Sequence, residues 1–151
     1  MVLKILMAAV MLAVAFGLYV RFAPSEPAVW ARPDMPDMPD MDVGDYSEMS
    51  SFTAIRLVAG PEVLDELTRI AEATFGTSIL NKASDDNWLT FVTRSKLWGF
   101  PDYTSVRVIE KNDAFLLQIH GRLRFGKADI GVNKARIRGW LDQLGLLTPE
   151  T

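Results

Sequence analysis

The sequence predicts an α+β fold in which an N-terminal transmembrane helix precedes a small domain with a mainly antiparallel sheet and two packed helices. Three observations predict it. Residues 5–20 are sixteen consecutive apolar or small residues. Residues 103–125 alternate apolar and polar side chains in two runs, and residues 133–145 repeat apolar side chains at helical spacing. Adjacent strands with helices at the ends of the run are typical of α+β domains.

The apolar run lies between Lys4 and Arg21. At 1.5 Å per residue it covers roughly 24 Å, and the flanking residues extend it toward the ~30 Å of a bilayer core. We therefore expect residues 1–23 to be an uncleaved single-pass anchor; a cleaved signal sequence and a buried helix are the alternatives. The short N-terminal tail favours an orientation in which the tail stays inside and the domain lies outside the cytoplasm.

Residues 24–51 are predicted to be an acidic linker. Residues 23–51 hold five prolines, and Pro-Asp-Met repeats three times over residues 33–41. Proline stiffens the chain and neighbouring aspartates repel one another, so an extended spacer is expected. A methionine-rich metal-binding arm and an acidic arm lying on a basic face of the sheet are the alternatives.

Residues 52–147 are predicted to form the domain, and residues 148–151 a tail. The expected elements are a strand over 52–58, a helix opened by Gly60-Pro61, a short strand over 77–80, a loop over 82–87, strands over 88–97, 103–110 and 115–125, and a helix from Asn133. If Asn112 and Asp113 form a two-residue turn, the last two strands pair in one register, because only then do their apolar faces coincide. That register pairs Lys111 with Ala114, Arg107 with Gln118, Val108 with Leu117, and Val106 with Ile119.

Glycine and aspartate residues end the last strand and precede the last helix. We expect Asp129 to close this turn, Gly131 to supply a positive φ and Asn133 to cap the helix. The alternative is an anion cradle formed by the first-turn amides with Lys134 and Arg136. The residues predicted to build turns and caps are Asp102, Gly126, Asp129, Gly131 and Asn133.

These segments resemble a bacterial family, domain of unknown function number 1499. Its members carry Gly-Phe-x-Asp-Asp, a strand arginine, and Ser-x-Ser-Arg-x-Gly-x-x-Asp-x-Gly-x-Asn-x-x-Arg-Ile. Here residues 99–103, Arg107 and residues 121–137 correspond, with Tyr103 replacing an aspartate and Gly121 and Leu123 replacing the serines. Many members also share a membrane segment, a piece like residues 21–27, and a following tryptophan, here Trp30. The resemblance implies a membrane-linked small domain without an assigned activity. For a bacterial protein with the orientation expected above, the location is the inner membrane and the domain is periplasmic.

The composition excludes several kinds of binding site. The chain has no cysteine and one histidine, so thiolate and multi-histidine metal sites are excluded, and we expect no metal and no cofactor. Net charge is −3 overall, but residues 88–138 hold ten basic and four acidic side chains, a local excess of +6. An acidic, tethered chain is not expected to bind nucleic acid.

The basic side chains are expected to gather on the polar face of the sheet. Guanidinium groups on neighbouring strands suit a carboxylate or phosphate, so we predict a non-enzymatic binding or scaffolding module that accepts an anionic small molecule or lipid headgroup. The predicted ligand-binding residues are Arg94, Arg107, His120, Arg122, Arg124, Lys134 and Arg136, with Lys96 on the same face.

Three alternatives stay open for this face. The first is a solvated surface whose cations pair with Asp102, Glu110 and Asp129. The second is a docking surface for an acidic protein partner. The third is a hydrolase-like site in which His120 is the base and Asp102 or Asp129 orients it. No serine elbow, phosphate loop or set of metal ligands accompanies that histidine, so no catalytic residue is assigned.

Overall fold

A computed structural model describes residues 1–31, 35, 42–82 and 88–146. The N-terminal part holds helix α1 (Val2–Phe22) and the short helix α2 (Pro27–Trp30). The domain follows in the order β1 (Gly44–Ser47), β2 (Ser51–Val58), α3 (Val63–Ala73), β3 (Thr77–Lys82), β4 (Trp88–Arg94), β5 (Pro101–Lys111), β6 (Ala114–Leu123) and α4 (Val132–Gln143). Lys82 of the predicted loop over 82–87 is the last residue of β3. The rest of that loop, the tail over 148–151 and most of the Pro-Asp-Met repeat lie outside the described residues.

Helix α1 has the length and composition of a membrane-spanning helix. Its 21 residues extend about 31 Å at 1.5 Å per residue, which matches the hydrocarbon core of a bilayer. No residue of its most apolar window is buried against the rest of the protein. A membrane anchor and a signal sequence share these features, so the sequence prediction of an apolar N-terminal helix is confirmed at that level.

Within the described residues, six strands form one antiparallel sheet in the order β1-β2-β6-β5-β4-β3. The predicted α+β class is therefore confirmed. The β5–β6 hairpin has the predicted register, with Lys111 opposite Ala114 and Val106 opposite Ile119. Its two loop residues, Asn112 and Asp113, have φ values of 52° and 59°, the left-handed pair that a type I′ turn requires.

Helices α3 and α4 pack on one face of this sheet and bury the main core. Trp140 of α4 is fully buried, meets Phe91 edge-on at 5.6 Å between ring centroids, and donates its indole N–H to Thr74 Oγ1 at 2.9 Å. The strands contribute Phe52, Ala54, Leu89, Phe91, Val106, Val108, Leu117 and Ile119 to this core.

Strand β1 was not predicted, because four residues with one large side chain carry too little alternation to be recognised. It lies within the segment that the sequence analysis assigned to the linker. Arg56, which is buried, holds it in place by donating to the Gly44 carbonyl at 2.9 Å and to Asp45 at 2.5 Å. The same side chain donates to the Leu146 carbonyl at 2.8 Å, so both ends of the domain meet at one guanidinium.

Most predicted boundaries differ from the structure by one to three residues, and two of these differences have a local cause. Helix α3 begins at Val63 rather than at Pro61, because the Leu64 N–H bonds the Pro61 carbonyl at 3.0 Å in an i→i+3 turn that is tighter than an α-helix. Strand β4 ends at Arg94 rather than at Leu97. There Gly99 N–H bonds the Ser95 carbonyl at 3.0 Å, and the loop closes on itself.

Candidate functional site

The face of the sheet opposite the helices carries most of the predicted basic residues. Successive side chains of a strand point to opposite faces. Because Phe91, Val106 and Ile119 lie in the helix-covered core, the residues next to them in sequence point away from it. This second face, which we call the arginine face, includes Arg94, Arg107, His120 and Arg122, with Arg124 just beyond the end of β6.

Residues 23–31, which we call the strap, lie across the arginine face. Arg94 Nη2 donates to the carbonyl of Ala23 at 2.8 Å, and Arg94 Nη1 donates to that of Arg21 at 3.2 Å. Arg124 donates to the Pro24 carbonyl and Arg122 to the Trp30 carbonyl, each at 2.8 Å. Three guanidinium groups from two strands and a loop therefore bind main-chain oxygens of the segment that follows α1.

Aromatic contacts fix the far end of the strap. Trp30 stacks on Tyr103 with 4.8 Å between ring centroids and 8° between ring planes, and the Arg124 guanidinium lies 4.5 Å from the Trp30 centroid. Ser25 Oγ lies 2.9 Å from the Tyr103 hydroxyl. Tyr103 is fully buried, so the strap forms a layer of the fold over the start of β5 and the end of β6.

The predicted set of anion-binding residues is divided by this arrangement. Arg94, Arg122 and Arg124 all donate to carbonyls of the strap. Arg107 lies farther along β5 and donates to Gln118 Oε1 at 2.7 Å. His120 is buried, with Nδ1 2.8 Å from Thr53 Oγ1. Lys134 and Arg136 belong to α4, on the opposite side of the sheet.

A second polar cluster lies between the sheet and the start of α4. Arg136 Nη1 lies 3.8 Å from Asp102 Oδ2, and Arg136 Nη2 lies 3.5 Å from Thr104 Oγ1 and bonds Asn133 Oδ1. Helix α4 approaches β6 so closely that a Cβ at Gly121 would lie 2.9 Å from Asn133 Oδ1. A serine, which the resembled motif has at this position, would require the Asn133 and Ile137 side chains to shift.

The helix cap is formed by Asp129, not by Asn133 as predicted. The two Asp129 carboxylate oxygens accept the backbone N–H groups of Gly131 at 2.7 Å and Asn133 at 3.1 Å. Gly131 has φ 80° and precedes the first helical residue. Asn133 is therefore inside the first turn, with its side chain fully buried beside Arg136.

Burial controls the electrostatics of this second cluster. It raises the pKa of Asp102 to about 6, although Arg136 acts in the opposite direction. Burial also lowers the pKa of Arg136, and the nearby carboxylates of Asp102 and Asp129 oppose that change. Among the described residues, Arg136 Nε and Asn133 Nδ2 are buried without a hydrogen-bond partner. Burial of these two polar atoms therefore carries a desolvation cost that no hydrogen bond offsets.

The raised pKa of Asp102 predicts that acid stabilises this cluster. The folded protein holds the proton more tightly than the unfolded chain, so the contribution of Asp102 is complete below its usual value of 3.8 and is lost as pH rises through about 6. Its size is at most about 3 kcal/mol. We expect the free energy of unfolding of the wild type to rise relative to Asp102→Asn as pH falls from about 8 to about 4.

Denaturant titrations of both proteins across that range measure this difference. Subtracting the two curves removes the contributions of the carboxylates that they share. A constant difference over the whole range would contradict the raised pKa.

The structure does not bring His120 together with either predicted carboxylate. Gly121 faces α4, with a hypothetical Cβ 2.9 Å from Ile137 Cδ1, so the neighbouring His120 points to the opposite face. Asp102 contacts Arg136 of α4 and Asp129 caps that helix. In the part of the chain that the structure describes, no group of three or more His, Cys, Asp or Glu residues is placed to hold a metal ion.

The sequence analysis gave the strap only as an alternative, an arm lying on the basic face of the sheet, and did not identify the residues that form it. Residues 23–31 show no strand or long-helix periodicity, and their partners lie about 70–100 positions away in the chain. One signal was present: the resemblance includes residues 21–27 and Trp30, which a plain spacer would not need. Here those residues supply the carbonyls and the aromatic ring that contact the sheet.

The fold and this site define a class: an α+β domain, preceded by an apolar helix, whose sheet face is covered by the segment next to that helix. Residues 25–144 match the family described as a protein of unknown function, DUF1499. The chain belongs to this family, so the resemblance predicted from the sequence is confirmed. No curated protein and no solved structure matches the chain significantly.

Proposed function

We propose that this chain is a single-pass membrane protein that holds its domain beside the membrane as a non-enzymatic binding or scaffolding module. The proposed location is the inner membrane of a bacterial cell, with the domain outside the cytoplasm. The observation that carries the proposal is the strap, because Arg94, Arg122 and Arg124 fix the chain that follows α1 onto the sheet. A flexible linker would leave the orientation of the domain undefined, whereas a bonded strap sets it.

The strap also limits what the arginine face can bind. Arg94, Arg122 and Arg124 already donate to strap carbonyls, so an anionic small molecule, a lipid headgroup or an acidic protein would have to displace the strap from them. A hydrolase-like activity has less support, because His120 and the two candidate carboxylates lie on opposite faces of the sheet. We therefore favour a scaffolding role in which the arginines organise the chain itself.

Membrane extraction of the full-length protein tests the anchor. We expect the protein to stay in the membrane pellet after alkaline carbonate treatment, with an intact mass that includes residues 1–23. The control for retention in the membrane is Leu12→Lys, since a charge at the centre of a spanning helix disfavours insertion by about 3 kcal/mol. That variant should appear in the soluble fraction.

Two results would overturn the proposal. One is an intact mass that corresponds to a chain cleaved after α1. The other is release of the wild type by carbonate to the same extent as Leu12→Lys. Protease added to sealed spheroplasts tests the location separately, because only a domain outside the cytoplasm is digested from that side.

A further inference from the structure

One end of the sheet lies next to α1, and we call it the anchor end. The pairings of Arg94 with Pro101 and of Asp102 with Leu123 place the β4–β5 loop and the β6–α4 loop there. The β1–β2 turn joins them, because the Asp129 N–H bonds the Met49 carbonyl at 3.2 Å. The turn before β3 is also at this end, since the Arg94 N–H bonds the Gly76 carbonyl at 2.8 Å.

Helix α1 leaves the domain from the anchor end. Tyr19 meets Phe125 edge-on at 6.2 Å between ring centroids. The Trp98 ring lies against Gly17, where an added Cβ would be 3.4 Å from the ring. Gly17 precedes Arg21 by four residues, so Trp98 is about 6 Å closer than Arg21 to the middle of α1 along the helix axis.

The anchor end also carries the exposed apolar side chains of the domain. Leu97 is 77% exposed and Ile130 is 95% exposed, in the β4–β5 and β6–α4 loops respectively. Among the described residues after position 42, all but one of the large apolar side chains that are more than half exposed lie at this end. They are Met49, Phe75, Leu97, Trp98, Ile130 and Val132, and the exception is Leu57.

A basic recess completes this surface. It has a volume of about 230 Å³ and lies between the end of α1 and the β4–β5 loop. Arg21 and Lys96 contribute its cations, Arg94 lines it while bonded to the strap, and Phe22 and Phe75 contribute apolar walls. Cations next to exposed aromatic and aliphatic side chains suit a bilayer interface, where tryptophan is enriched and basic residues attract anionic lipids.

We propose that the anchor end is a second membrane contact, in which the β4–β5 and β6–α4 loops enter the headgroup region of an anionic bilayer and the recess takes a phospholipid headgroup. The inference rests on the proposed function, because α1 must lie in the same bilayer. Trp98 contacts α1 at Gly17, closer to the middle of the helix than Arg21. If α1 spans the bilayer, the β4–β5 loop that carries Trp98 therefore lies at the membrane–water interface. The domain then stands on the membrane with its strands directed away from it.

Lipid quenching on the full-length chain tests the contact, because the chain has no natural cysteine. Leu97→Cys, Leu12→Cys and Asn112→Cys each receive an environment-sensitive dye in vesicles of phosphatidylcholine and phosphatidylglycerol. Nitroxide lipids labelled at shallow and deep positions are then added. We expect shallow nitroxides to quench the dye at position 97, deep nitroxides to quench it at position 12, and neither to quench it at position 112, in the turn at the opposite end.

The three positions separate the two proposals. Quenching at position 12 without quenching at position 97 overturns the membrane contact and leaves the anchor intact, in which case the exposed surface serves a protein or a second copy of the chain. Absence of quenching at position 12 overturns the anchor itself. Leu97 is exposed, so its replacement does not disturb the core.

Retention of phosphatidylglycerol tests the recess. Native mass spectrometry of the detergent-extracted protein should show bound phosphatidylglycerol, and Arg21→Gln and Lys96→Gln should each lower its retention about fivefold, the effect of one basic residue near an anionic surface. Lys82→Gln at the opposite end is the matched control and should change nothing. Equal retention in all four proteins would overturn the headgroup assignment.

Discussion

A fragment that begins at Gly44 is expected to unfold with a free energy at least about 4 kcal/mol lower than one that begins at Phe22. The reason is that removing the strap uncovers Tyr103, which is fully buried beneath Trp30. Burial of an aromatic side chain removes 150–250 Å² from water, at about 25 cal/mol per Å². The loss of the guanidinium–carbonyl bonds adds to this effect, since each bond to a charged group contributes about 1.5–3 kcal/mol.

Thermal and denaturant unfolding of residues 22–151 and 44–151 measure the difference. For a domain of this size the expected loss lowers the melting temperature by more than roughly 15 °C. Trp30→Ala in the longer fragment should reproduce part of the loss. Val29→Ala is its matched control, because Val29 is the adjacent strap residue and is half exposed. Equal stability of the two fragments would show that the strap does not contribute to the fold.

Replacing Arg136 by Met is expected to lower the free energy of unfolding by about 3–5 kcal/mol near pH 8. The substitution leaves the Asp102 carboxylate in a buried position without the guanidinium that lies 3.8 Å away. The loss should shrink in acid, because the raised pKa of Asp102 lets the folded protein neutralise this group by taking up a proton.

A double-mutant cycle checks this explanation. Arg136→Met together with Asp102→Asn should cost less than the sum of the two single substitutions, because the double variant buries no unpaired charge. Arg69→Met is the control: its partner Glu66 and its own side chain are exposed, so the expected change is at most about 1 kcal/mol. Additive losses in the cycle would contradict coupling between Arg136 and Asp102.

The sequence predicted the elements whose information is local. The β5–β6 hairpin followed from strict alternation and from Asn112-Asp113, which adopt the left-handed conformations that their turn requires. Alternation also placed Arg94, Arg107, His120 and Arg122 on one face. These predictions succeeded because a period of two fixes the face of every residue in a strand once one residue is assigned.

The features that the sequence did not predict depend on contacts between distant parts of the chain. Strand β1 forms because it pairs with the edge of β2 and because Arg56 binds Asp45. Both partners lie outside residues 44–47, so the sequence of that segment alone does not predict a strand. Carbonyl groups occur in every residue, so nothing within residues 23–31 indicates that arginines of β4 and β6 bind them. The cap was misassigned to Asn133 because Asp129 lies outside the helix and reaches it through the left-handed Gly131.

Arg94, Arg122 and Arg124 bind main-chain oxygens of the strap, so these bonds do not depend on which side chains the strap carries. Glu26, Pro27, Ala28 and Val29 are exposed, whereas Ala23 and Ala31 are buried and small. The exposed positions of the strap can therefore vary widely, provided that Ser25, Trp30 and the two alanines are kept. A chimera that keeps residues 17–31 and carries an unrelated apolar helical stretch before them should seat its domain as the parent does, which makes the domain transferable to other N-terminal helices.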